Sequence, residues 1–87
     1  MSWDKIAKRF SVPTDIGFYA CVDRDGHWFD SSVLFSTAVH WCAMNYGYYN
    51  LSPEEEMDWM NKEGIELGVS IVHSSKLKAL YEAGMLN

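Results

Sequence analysis

A chain of 87 residues with 48% hydrophobic and 15% aromatic content describes one small folding unit and excludes a disordered segment. A net charge of −5 argues against direct binding to a nucleic-acid backbone, which needs Lys and Arg to neutralise phosphates. No apolar run is long enough to span a bilayer, and no basic-then-apolar leader opens the residues shown, so a cytoplasmic protein with no membrane partner is expected.

Ser2 is placed to cap a short helix over Trp3–Phe10, with Trp3, Ile6, Ala7 and Phe10 on one face and Lys5, Lys8 and Arg9 turned away. Val12-Pro13 ends it, because the residue before proline avoids the helical region. The stretch Gly17–Phe35 then reads as a β-hairpin. Asp25-Gly26 lies between two alternating apolar runs, and both positions of a two-residue turn need φ > 0. That turn opposes Val22 to Phe29, Ala20 to Ser31 and Phe18 to Val33. One face then carries Phe18, Ala20, Val22, Phe29, Val33 and Phe35; the other carries Tyr19, Cys21, Asp23, Trp28, Asp30, Ser32 and Leu34. A longer loop including Arg24 would oppose Val22 to Trp28 and Ala20 to Asp30. It puts a carboxylate on the apolar face, so burial favours the shorter loop.

Ser36 is the expected cap of a second helix, Thr37–Tyr46, which Gly47 ends. Ala38, Val39, Trp41, Cys42, Ala43 and Met44 make it apolar over most of its surface, so it should be the helix that covers the hairpin. Ser52, Pro53 and Glu55 form a capping box with proline at the first helical position. The helix they start should run to Glu63 and stop at Gly64, with Met57 and Met60 inward and Trp59 partly exposed. From Ile65 to Val72 the period changes to two, with Ile65, Leu67, Val69 and Ile71 on the buried face of a strand. Ser74 or Ser75 caps a last helix, Lys76–Ala83, with Leu77, Leu80 and Tyr81 inward and Gly84-Met85 closing it in a Schellman turn. The expected fold is a single α+β domain of order α-β-β-α-α-β-α, with a three-stranded, largely antiparallel sheet.

The residues that carry chemistry in other proteins do not converge here. Asp23, Asp25 and Gly26 resemble part of a calcium loop, but its first position would be Cys21 and its twelfth Ser32, so both key ligands are missing. His27, His40, His73, Cys21 and Cys42 have no zinc-type spacing, so neither metal nor cofactor is expected. Cys42 sits in the most apolar helix, and Cys21 faces Asp30, whose charge disfavours a thiolate; both read as reduced and inert.

The surface with most promise is acidic and aromatic. Leu51–Asn87 holds seven acidic residues against three basic ones, and Glu54, Glu55, Glu56 and Asp58 sit together beside Trp59 and Met60. Carboxylates in a first helical turn are explained by the helix dipole alone. Beside tryptophan they also suit the recognition of a basic partner. The expected activity is therefore non-enzymatic: a small acidic protein-binding module, an inhibitor or adaptor that covers a partner's basic, nucleic-acid-binding surface. Compact acidic proteins that phages and mobile elements direct against host nucleic-acid machinery, including defence systems, have this character. The expected contact residues are Glu54, Glu55, Glu56, Asp58 and Trp59, then Tyr19, Trp28 and Asp30 on the outer hairpin face. Two alternatives are an enzyme using a cysteine or histidine of the hairpin, and a nucleic-acid binder using the N-terminal helix with Lys76 and Lys78. The opposite charges of the first helix and the Glu54–Asp58 region also allow a homodimer.

Overall fold

The computed structural model describes residues 16–86. The helix expected over Trp3–Phe10 lies outside them. The described chain runs β1 (Tyr19–Val22), β2 (Trp28–Ser32), α1 (Phe35–Asn45), α2 (Pro53–Trp59), a π-helical continuation (Met60–Gly64), α3 (Ile65–Leu67), β3 (Ser70–His73) and α4 (Ser74–Glu82). This is the expected α+β fold. The sheet is antiparallel throughout, in the order β2-β1-β3.

The hairpin closes through the longer loop. Gly26 N–H donates to Asp23 O and Asp23 N–H to His27 O, so Arg24, Asp25 and Gly26 form the loop and Gly26 takes the left-handed conformation at φ 83°. Asp23 stabilises it from within, its Oδ1 accepting the N–H groups of Asp25 and His27 at 2.9 Å each. Val22 therefore opposes Trp28, not Phe29. The carboxylate clash that argued against this loop is removed by a bulge: Phe29 is the extra residue, and beyond it Cys21 opposes Asp30 and Ala20 opposes Ser31, as the shorter loop required. The bulge exchanges the faces of Trp28 and Phe29. Trp28 stacks on Phe18 at 5.6 Å beside Ala20 and Val22, while Phe29 joins the cluster around Cys21.

Both sheet faces are covered. Phe18, Ala20, Val22 and Val72 pack on Leu77 of α4. Tyr19, Cys21, Phe29 and Ile71 pack on Ala38, Cys42 and Ala43 of α1, and Trp59, Met60 and Val69 extend that cluster. The strand β2 stops at Ser32. Val33, Leu34 and Phe35 are exposed, so Val33 does not pair with Phe18. Phe18 instead exchanges backbone bonds with the start of α4: its carbonyl accepts Ser74 N–H at 2.8 Å, and its N–H donates to Ser74 Oγ.

Helix boundaries follow local chemistry, with three departures. Helix α1 begins after Leu34, not Ser36, and has no side-chain cap. Gly64 does not stop the helix that begins at Pro53. It is buried in helical conformation, and a Cβ there would lie 3.1 Å from Met60 Sδ and 3.6 Å from Trp59 O, so its role is close packing. The stop is Gly68, at φ 78°, with Val69 N–H bonded to Gly64 O. Ile65 and Leu67 are thus helical and exposed, not the buried face of a strand. Finally, His73 caps α4, its Nδ1 accepting Ser75 N–H, where a serine cap was expected.

Candidate functional site: an acidic groove walled by tyrosines

The groove lies between the connector after α1 and the outer side of α2 and its continuation. A Schellman turn ends α1: Gly47 is left-handed at φ 93°, its N–H bonds Met44 O, and Tyr48 N–H folds back to Ala43 O. This turn brings Tyr46 and Tyr48 over α2, where each ring lies 5.6 Å from Trp59. Tyr46 also meets Phe29 edge-on at 6.1 Å. The Tyr48 hydroxyl donates to Glu63 Oε2 at 2.6 Å. That bond holds the Tyr48 proton and pushes its pKa above the usual tyrosine value.

Two cavities share Tyr48 and Glu63. One, of about 290 Å³, is lined by Tyr48, Leu51, Glu55, Asp58, Trp59, Lys62 and Glu63. The other, of about 460 Å³, is lined by Tyr46, Tyr48, Glu63, Glu66 and Leu67. Together they make one groove with Glu55, Asp58, Glu63 and Glu66 on its rim and Lys62 as the lining cation.

The structure divides the expected contact residues. Glu54, Glu55 and Asp58 are exposed. Glu55 is held by the capping box, accepting Ser52 N–H at 3.0 Å while its own N–H reaches Ser52 Oγ, and its pKa is lowered by these bonds. Glu56 is not on the surface. It is buried, and its Oε2 meets His40 Nδ1 at 2.5 Å. Trp59, only 6% exposed, is the back wall of the groove, not its face. Met57, expected inward, is exposed, because the buried stripe is Glu56, Trp59, Met60 and Gly64.

The outer hairpin face is covered within the chain. Helix α1 covers it, and Trp28 lies on the opposite face. Tyr19 is half-buried between the rings of Phe35 and His73. Asp30 is half-buried and accepts from Asn45 at the end of α1. Both cysteines are free and fully buried. Cys21 donates to Ala38 O, and its contact with Cys42 together with burial pushes its thiol pKa strongly upward, which withholds the thiolate a nucleophile needs.

Tyr46, Tyr48, Glu63 and Glu66 are groove residues that sequence reasoning missed. The signal for the tyrosines was the helix-stopping Gly47 between them, since a left-handed glycine reverses the chain over the helix it ends. Nothing local marks either glutamate: Glu63 lies in the π-helical turn Met60–Gly64, and Glu66 is helical because the helix continues through Gly64. No protein-family model matches the chain, and neither a curated protein nor a solved structure resembles it closely enough to count as a relative. Among the described residues, no helix is long and apolar enough to cross a membrane.

Proposed function

We propose that this domain is a protein-binding module, an inhibitor or adaptor, that seats a basic surface of its partner along the Tyr46–Leu67 groove. The observation that carries the reading is the groove's lining: aromatic walls and four carboxylates, against Lys62. Such a lining offers a cation both charge and ring faces, and the chain's net charge of −5 steers a basic partner toward it. The contact set is Glu55, Asp58, Glu63, Glu66, Tyr46 and Tyr48; Glu54 is exposed on the same helix but does not line the groove. Because nucleic-acid-binding proteins present basic surfaces, a module of this kind acts on them by occupying the surface that nucleic acid would use.

The test is direct titration of the purified chain with short lysine- and arginine-containing peptides, followed by calorimetry at low and high salt. Binding that weakens with salt, and weakens further in an Asp58→Lys, Glu63→Lys variant, supports the groove. Equal affinity in the wild type and that variant sinks it. Competition between the chain and DNA for a basic nucleic-acid-binding protein then separates an inhibitor from an adaptor.

A further inference from the structure

We propose that the larger cavity, bounded by Tyr46, Tyr48, Glu63, Glu66 and Leu67, is a receptor for a single arginine side chain of the partner. The inference rests on the basic-partner reading and goes beyond it by assigning one residue type to one cavity.

The two cavities of the groove differ in charge balance. Lys62 lines the smaller one beside Glu55, Asp58 and Glu63. The larger one is lined by two carboxylates and no cation. Arg24 borders this cavity at the backbone: its Nη2 donates to the carbonyl of Glu66 at 2.6 Å and its stem lies against Gly68, but its side chain is not part of the lining. Among the described residues, no lining side chain compensates the two carboxylates, which leaves them to a ligand or to solvent.

Its walls suit a planar cation. Tyr46 is held between Trp59 and Phe29, and Tyr48 between Trp59 and Glu63, so both rings are positioned before any ligand arrives. The Tyr48 hydroxyl already donates to Glu63 Oε2, which leaves the phenol oxygen and Glu63 Oε1 to accept. Glu66 is exposed on the same rim and Leu67 supplies an apolar surface for an alkyl stem. A guanidinium stacks on a tyrosine face while its fork of N–H groups reaches a carboxylate. An ammonium can do only the second and stays more strongly hydrated.

The experiment compares three matched peptides, identical except that one residue is arginine, lysine or citrulline, by calorimetry against the full chain. The expected result is arginine binding about tenfold tighter than lysine, with citrulline weaker than both. Glu66→Gln, at an exposed position that leaves the core alone, should narrow the arginine–lysine gap. Tyr46→Leu should do the same while keeping the contact with Trp59. Equal affinity for arginine and lysine overturns the arginine receptor and leaves the basic-partner reading standing. Equal affinity for all three overturns both.

Discussion

Glu56 and His40 meet at 2.5 Å across the contact between α2 and α1, with the carboxylate side chain 6% exposed and the imidazole 40% exposed. Ser36, Thr37 and Pro53 line the cleft around them. In a run of three glutamates, this one points inward because it shares a helical face with Trp59 and Met60. A buried carboxylate is tolerated when hydrogen-bonded, and His40 is the partner that makes Glu56 acceptable there.

Removing His40 therefore strands a buried acceptor. His40→Ala should destabilise the fold by about 1–3 kcal/mol in urea unfolding. Glu56→Gln keeps a hydrogen-bonding group in place and should cost less. A double variant, His40→Leu with Glu56→Leu, should recover part of the loss. If His40→Ala unfolds at the wild-type midpoint, the pair has no structural weight.

Trp59 is a packing residue that sets the groove, so its substitution should act on stability and on binding together. Trp59→Ala should cost about 3–5 kcal/mol, as large aromatic truncations in a core do. Trp59→Phe should be milder and yet loosen both tyrosines, visible as a change in their near-ultraviolet circular dichroism. A Trp59→Ala protein of wild-type stability would return Trp59 to the surface role expected from sequence.

Tyr48 gives the groove an alkaline limit. Its folded-state pKa lies above the ordinary value because its proton is bonded to Glu63, so the folded state holds that proton more tightly than the unfolded chain. The stabilisation is complete below the unfolded tyrosine value and is lost as pH rises through the higher folded value. Spectrophotometric titration at the tyrosinate absorbance should show late-titrating components from Tyr48 and from Tyr46, whose pKa burial pushes upward, and Tyr48→Phe should remove the first of them. At neutral pH, where the bond is fully formed, the same substitution should lower stability slightly and free Glu63. If the component lost in Tyr48→Phe titrates at the ordinary tyrosine value, the bond is contradicted.

Gly68 and Arg24 form one unit. The glycine has φ 78°, and a Cβ there would fall 2.8 Å from Arg24 Cβ and Nε. Gly68→Ala should therefore destabilise by about 1–3 kcal/mol through backbone strain and the clash. Adding Arg24→Ala should remove the contacts with Nε and Cγ and leave the one with Cβ and the strain, so the double variant should lose less than the sum of the two single variants. Additive losses would show that the two residues do not press on one another.

Much of the fold was legible because it is set within a few residues along the chain. Ser52, Pro53 and Glu55 start α2 by hydrogen bonds that span three positions, and Gly47 and Gly84 end their helices by bonds that span five. The hairpin's place followed from Asp-Gly between apolar runs, and the α+β class from the succession of periods. What the tertiary structure decided was phase. One extra residue at Phe29 exchanged the faces of two aromatic side chains, and continuation of the helix through Gly64 turned Ile65 and Leu67 from an expected strand into an exposed helical turn. Helix phase also separated Glu56 and Trp59 from Glu55 and Asp58, and it carried Glu63 and Glu66 to the tyrosines. Local hydrogen bonds determine where an element begins and ends. Which of its side chains reach a given surface depends on every residue counted before them and on what packs against the other side.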